Sequence, residues 1–194
     1  MAKLYFKYGA MGSSKSANAL ITKFNYQEKE MNVWLIKPSI DNRDGNKTIS
    51  SRIGISQEAD VINQSDDILF LYREKSNIDV IISDESQFFS ELQINQLRTI
   101  VDNYNIPVIC FGLRTDFQTK LFSGSKRLFE IADSITEIKT ICACGSKAIV
   151  NARIDSDGKV ITIGDKILLG GNDSYVAMCH KCYVKAVESE TDIK

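Results

Sequence analysis

From Lys3 to Tyr8 the chain is apolar and β-rich. It breaks at Gly9, and from Lys15 to about Glu30 it takes a helical rhythm with Ala17, Leu20, Ile21 and Phe24 on one face. The alternation then repeats. NVWLIK, Asn32 to Lys37, predicts a buried strand that Pro38 stops. Ser39 to Ser56 is polar throughout and predicts a long loop, a length that suggests mobility or function. A short strand (Ala59 to Ile62) and a short helix (about Ser65 to Lys75) follow. DVIIS, Asp79 to Ser83, is a second buried strand and ends in Asp84-Glu85. Ser90 is placed to cap a helix whose stripe is Leu92, Leu97, Ile100 and Val101. PVICFGL, from Pro107, predicts another strand, Leu121 to Ala132 a helix, and SITEIK, from Ser134, a last strand. Strands alternating with helices imply parallel pairing, right-handed crossovers and a site at the carboxyl ends of the strands.

Near residue 140 the texture changes. Helical patterns stop, cysteines appear, and strand alternation takes over in AIVNARI and KVITI. The expected organisation is an α/β domain over 1–140 and a small β-rich module over 141–194, with a polar, frayed tail after Tyr183.

Composition narrows the class. The chain has 194 residues, 43% of them hydrophobic and 25% charged, enough for a proper core. A net charge of −1 argues against a wide basic face for nucleic acid or an anionic membrane. No apolar run approaches the ~18 residues of a membrane span, and the start MAKLYFKYGAMG lacks the apolar core of a signal peptide. A soluble cytosolic protein is expected. Of five cysteines, Cys110 sits in a strand and reads as packing. The other four form two close pairs, Cys142/Cys144 and Cys179/Cys182, and in a reducing compartment such pairs point to metal. Four thiolates suit a closed, structural Zn²⁺ cage. His180 lies inside the second pair, so a set in which it replaces Cys142 or Cys144 stays open, as does a redox disulfide.

The first strand-to-helix break carries candidate chemistry. Gly9, Ala10, Met11, Gly12, Ser13, Ser14, Lys15 and Ser16 have the length and ending of the phosphate-binding loop G-x-x-x-x-G-K-[ST], with Ser14 in place of the second glycine. Backbone N–H groups and the helix N-terminus would cradle the phosphates of ATP, Lys15 would reach the terminal ones, and Ser16 would meet Mg²⁺. Glycine at position 14 would permit close approach or an unusual φ, and serine is its smallest polar replacement. Downstream, Asp84 ends a strand as the acid that holds Mg²⁺ beside such a loop. In an extended strand Glu85 would face the other way, toward the acceptor. For an alcohol acceptor it would take the hydroxyl proton. Arg43, in the polar loop, is a candidate cation for the developing charge.

Several longer stretches extend this picture: DNR (Asp41, Asn42, Arg43), DESQFF (Asp84 to Phe89), FGLRTDFQTKLF (Phe111 to Phe122), the cysteine pairs and LGGNDSYVAMCHKC (Leu169 to Cys182). In this order, and over essentially the whole chain, they resemble thymidine kinases of the cytosolic, zinc-containing type. The resemblance implies a P-loop NTPase-like α/β fold, a parallel sheet with helices on both faces, joined to a small zinc-binding, lasso-loop β module. It implies transfer of the ATP γ-phosphoryl group to the 5′-hydroxyl of thymidine, for DNA precursor salvage. Mg²⁺, structural Zn²⁺, a homotetramer and feedback inhibition by dTTP belong to the same implication, with no nucleic-acid or membrane partner.

Carried over residue by residue, the loop from Gly9 to Ser16, Asp41, Asn42, Arg43, Asp84 and Gln87 would serve ATP and Mg²⁺, and Glu85 the 5′-hydroxyl. Met11, Phe88, Leu113, Phe117, Phe122 and Tyr175 would wall the base. A lasso between the cysteine pairs would add Lys166, Ile167, Leu168, Leu169 and Gly170. Arg114 stands where the family has aspartate. Read from the residues alone, Phe89 is core, whereas Phe117 lies in a polar stretch where a core role is less natural. A single methyl separates thymidine from deoxyuridine, so leakage toward deoxyuridine is expected. A P-loop ATPase with a nucleic-acid-binding zinc ribbon, a nonspecific P-loop ATPase and a regulatory ATP-binding module remain alternatives on the residues alone.

Overall fold

The computed structural model describes residues 1–41, 47–165 and 174–191. Six parallel strands form the central sheet: β1 (Leu4–Tyr8), β2 (Val33–Pro38), β5 (Asp60–Ile62), β6 (Val80–Ser83), β7 (Val108–Gly112) and β8 (Ser134–Glu137). Their order is β5-β2-β6-β7-β1-β8. Neighbouring residues of a strand point to opposite faces, so a strand buried on both sides reads as a continuous apolar run. Trp34 and Ile36 of β2, Ile81 of β6 and Cys110 of β7 pack on one side. Leu35, Val80, Ile82, Ile109 and Phe111 pack on the other. The first side is covered by α2 (Ile68–Arg73), α3 (Glu91–Tyr104) and α4 (Ser123–Ile131), and the second by α1 (Lys15–Gln27). This is the expected α/β architecture, with Cys110 and Phe89 in the core.

Two apolar stripes are rotated from expectation. On α1, Ala17, Ala19 and Leu20 are buried, while Ile21 and Phe24 are 48% and 58% exposed. The phosphate loop enters this helix with Lys15 turned inward, and Lys15, Ala19 and Lys23, four residues apart, share the buried side. On α3, Leu92 is exposed and Ile94 takes its place beside Leu97, Ile100 and Val101. Ser90 and Gln93 form a reciprocal capping box that fixes the first turn.

The polar stretch after β2 is not all loop. Thr48–Ser50 (β3) and Ser56–Glu58 (β4) pair antiparallel as a hairpin. Ile49 plugs it into the core, while Lys23 Nζ donates to Gln57 Oε1 (2.7 Å) and Lys37 Nζ to the Thr48 carbonyl (2.9 Å). One apolar anchor in a polar run gives little periodic signal.

Beyond the main sheet, β9 (Thr140–Ile141) pairs β10 (Lys147–Ala148). A second small sheet has the order β12-β11-β13, built from β11 (Val150–Ile154), β12 (Val160–Ile161) and β13 (Tyr175–Met178). The tail expected to fray is helical instead: α5 spans His180–Thr191. Its first turn is tied down, with Tyr183 N–H donating to the Cys179 carbonyl (3.0 Å) and Tyr183 Oη to the Phe117 carbonyl (3.3 Å).

Candidate active site

The phosphate loop runs from the end of β1 into α1. Gly9 has no room for a side chain: a Cβ there would lie 2.3 Å from Ser13 Oγ and 2.4 Å from the Ile138 carbonyl. Its N–H donates to the Gly112 carbonyl at 3.2 Å, tying the loop to β7. Gly12 has φ +72°, and Ser14 itself sits at φ +60°, ψ +31°. The serine therefore holds the left-handed conformation that glycine adopts without cost. It precedes α1 without making a side-chain cap. Lys15 is buried and its Nζ donates back to the Ala10 carbonyl at 3.0 Å, across the loop. Ser13 Oγ is buried with no hydrogen-bond partner among the described residues.

Opposite the loop, β6 ends at Ser83, and the two acids follow it rather than belong to it. Strand alternation does not separate them. Glu85 has φ +50°, and this left-handed residue opens the 3₁₀ turn Ser86–Phe88. Both carboxylates are buried. Burial, then the neighbouring Glu85 charge, pushes the Asp84 carboxyl up to about 7, against the hydrogen bond with the Ser16 side chain and the charge of Lys15. Among the described residues, Asp84 Oδ1 has no donor. A buried carboxylate oxygen left without a donor, on a carboxyl bonded to the Ser16 side chain, fits a hard cation such as Mg²⁺, which takes oxygen ligands.

Gln87 joins this acid to the sheet. Its Nε2 donates to Glu85 Oε2 at 2.5 Å, and its Oε1 accepts from Leu113 N–H at 2.9 Å. Gly112 makes room for it, since a Cβ there would sit 2.8 Å from Gln87 Oε1. The amide thus fixes one oxygen of Glu85 at the ends of β6 and β7 together.

One cleft brings together Met11, Gly12, Ser14, Lys15, Ser16, Asp41, Asp84, Glu85 and Leu113. Asp41 is held by fully buried Lys37 (3.3 Å) at the end of β2. The cleft also contains the turn of the β3–β4 hairpin, including Arg52, which sequence reasoning missed. Arg52 Nη1 is 4.0 Å from the position of a Cβ on Gly12, so a cation reaches the phosphate loop from a stretch that looked like featureless loop. Gln87, Phe88 and Phe122 line a neighbouring hollow, with the two rings edge to face at 5.5 Å. Phe117 is buried, contrary to the polar texture around it, and lies under the Arg153 guanidinium. Tyr175 is joined to the same arginine. Arg114 donates to the Ile149 carbonyl at 3.3 Å. Asn42, Arg43, Lys166, Ile167, Leu168, Leu169 and Gly170 lie outside the described residues.

Asn151, on β11, was also missed. Its Oδ1 accepts from Met11 N–H (2.8 Å) and its Nδ2 donates to the Thr115 carbonyl (2.9 Å), so the small module grips the phosphate loop directly. An asparagine inside a strand pattern carries no signal of that kind.

The four paired cysteines converge. Their sulfurs all lie within 4.8 Å of one another, and Cys144 and Cys179 sulfurs are 3.7 Å apart. A tetrahedral cage with metal–sulfur bonds of about 2.3 Å has sulfurs about 3.8 Å apart. No disulfide links them. Side-chain and backbone hydrogen bonds from Ser146 hold the Cys144 thiol down to about 6, which favours the thiolate that a metal needs. His180 is exposed and takes no place among the four ligands. Among the described residues, no helix is long and apolar enough to cross a membrane.

The chain is similar to known proteins along most of its length. The family model described as thymidine kinase matches residues 2–183. A thymidine kinase of Shewanella oneidensis is 44% identical over 184 residues, covering 93% of this chain and 96% of that protein. That of Photobacterium profundum is 43% identical, covering 96% and 99%. The thymidine kinase of enterobacteria phage T4 is 46% identical over 184 residues, covering 93% and 95%.

Proposed function

The chain belongs to the thymidine kinase family and is a phosphotransferase, and from that premise we propose that it moves the ATP γ-phosphoryl group to the 5′-hydroxyl of thymidine, with deoxyuridine as a weaker acceptor. The observation that carries this reading is the buried Asp84-Glu85 pair facing Lys15 and Ser16 across one cleft.

In the proposed reaction the 5′-oxygen attacks the γ-phosphorus, the bond to the β,γ-bridging oxygen breaks, and ADP leaves. Glu85 accepts the hydroxyl proton, oriented by Gln87. Lys15 and the loop N–H groups from Gly9 to Ser16 stabilise charge on the phosphates. Ser16 and Asp84 would hold Mg²⁺, and the ion when bound supplies charge neutralisation along the triphosphate. Asp41, Asn42 and Arg43 serve the ATP side, and Arg52 is added to them as a cation beside Gly12. Met11, Phe88, Leu113, Phe117, Phe122 and Tyr175 wall the base, and the lasso from Lys166 to Gly170 closes over it.

Further parts of the reading rest on the family resemblance. Cys142, Cys144, Cys179 and Cys182 hold a structural Zn²⁺, residues 1–140 act as the kinase domain, and 141–194 act as the zinc and lasso domain. dTTP inhibits by presenting the product's own base and sugar together with a triphosphate. The enzyme works in the cytoplasm as a homotetramer, and exposed Ile21 and Phe24 on α1 offer apolar surface for a subunit contact.

The test is a panel of nucleosides with γ-labelled ATP and Mg²⁺, run on the natural chain and on Glu85→Gln. The expected product is thymidine 5′-monophosphate, with a loss of at least about a hundredfold in kcat for the glutamine variant. Full ATP hydrolysis without nucleoside, or an undiminished Glu85→Gln enzyme, would overturn the proposal.

A further inference from the structure

Arg153 is a charged side chain only 4% exposed, on β11 of the small module. Among the described residues no carboxylate pairs with it. Burying a guanidinium in that way is costly unless its donors and its flat face are used. Both are. The guanidinium carbon lies 3.8 Å from the centre of the Phe117 ring and 5.2 Å from that of Tyr175. Nε and Nη2 both donate to Tyr175 Oη, at 3.0 and 2.6 Å. A Cβ at Gly164 would come within 3.3 Å of Nη1, so the backbone there approaches closely. Arg153 pairs with Tyr175 in the β11–β13 ladder, which fixes the distance the side chain must bridge.

Two residues from separate parts of the chain therefore meet through this one. Phe117 follows β7 of the main sheet, and Tyr175 opens β13 of the module. We infer that Arg153 is a positioning residue that sets specificity for the nucleoside, by holding Phe117 and Tyr175 at a fixed separation as two walls of the base slot. The inference rests on the proposed function, and it adds a residue that the motif reading left out. Arginine suits this task for a chemical reason. A planar fork can stack on one ring while donating two bonds to the hydroxyl of another, and a lysine ammonium cannot do both. A slot with locked walls discriminates by shape, whereas one with a loose wall adapts to whichever pyrimidine enters.

The experiment measures steady-state kinetics of the natural enzyme, Arg153→Lys, Tyr175→Phe and the double variant, with thymidine and deoxyuridine. Zinc content and melting temperature are recorded for each. For Arg153→Lys the expected result is a rise of about tenfold in KM for thymidine, the scale of a lost charged hydrogen bond. KM for ATP and kcat should change less than about threefold. Preference for thymidine over deoxyuridine should narrow. Tyr175→Phe, which leaves the arginine in place, should reproduce most of the shift, and the double variant should add little to it. The Tyr175→Phe result decides the matter if Arg153→Lys fails to fold. Unchanged nucleoside KM and preference in both single variants would overturn the inference. So would equal losses toward ATP and nucleoside accompanied by loss of zinc. A natural enzyme inactive on thymidine would instead defeat the functional proposal beneath it.

Discussion

Ser14 holds a backbone conformation that suits glycine. For a residue with a Cβ the left-handed region costs roughly 1–2 kcal/mol, and part of that is offset because glycine loses more freedom on folding. Ser14→Gly is therefore expected to stabilise the chain by about 0.5–1 kcal/mol, a rise of roughly 1–4 °C in Tm, and to lower KM for ATP; thermal unfolding and kinetics check both. Asp84 carries a different tension. Its carboxyl is pushed up to about 7, while in the unfolded chain it titrates near 4 (about 3.9). Between those values the folded chain keeps a proton that the unfolded chain releases. The stability linked to it is full below about pH 4 and is lost as pH rises through about 7. Asp84→Asn, which needs no proton, is expected to gain Tm over the natural chain at pH 8 and much less at pH 5, measured without Mg²⁺ or nucleotide, and to be inactive. That Lys15, Ser16, Asp84 and Glu85 meet in one cleft was legible, because a fixed loop spacing and a strand end set their places. Arg52, Asn151 and Arg153 were not, since each acts on a residue remote in sequence: Gly12, Met11 and Thr115, or Phe117 and Tyr175.

At the scale of elements, the site depends on how closely α4 can approach the 3₁₀ turn that carries Gln87. Gly124 makes that approach possible: a Cβ there would lie 2.6, 2.7 and 2.9 Å from the carbonyl oxygens of Ser86, Phe89 and Gln87. Backbone atoms cannot swing aside as a side-chain tip can. Gly124→Ala is expected to destabilise by about 1–3 kcal/mol and to lower kcat by displacing Gln87 from Glu85; chemical denaturation and kinetics check it. Strands buried on both faces were readable as apolar runs, and α3 as a capped helix. Which stripe of α1 faces inward was not, because the phosphate loop sets the helix's rotation. The β3–β4 hairpin hid in polar sequence, since a single buried Ile49 anchors it. The C-terminal helix hid for a similar reason: its half-buried stripe of Tyr183, Ala186 and Val187 is short, and the cysteine turn and the Tyr183 contact tie down its first turn.

For the whole molecule, the four sulfurs decide whether the small module can hold its place. They join the β9–β10 turn to the start of α5, and β11 between them carries Asn151 to the Met11 N–H and Arg153 to the Phe117 ring. A structural zinc contributes on the order of 10 kcal/mol to such a module. Cys182→Ser, or chelation of the natural protein, is therefore expected to remove the metal and lower Tm. Activity should be lost with both substrates while the helical signal of the main domain survives. Elemental analysis, circular dichroism and assay together check this. Retained activity at zero zinc would show that the module does not need its cage.

By itself, the order of residues determined the layered α/β plan, the phosphate loop at the end of β1, the acidic tip after β6 and the four-thiol cluster. Each follows from local periodicity or fixed spacing, which neighbours along the chain express without help. Only the folded chain decided that position 14 is left-handed, that Glu85 turns through a positive φ, and that β11 reaches back to Met11 and Phe117. Those outcomes come from packing and hydrogen bonding between segments far apart in sequence, where the partner, not the residue, carries the information.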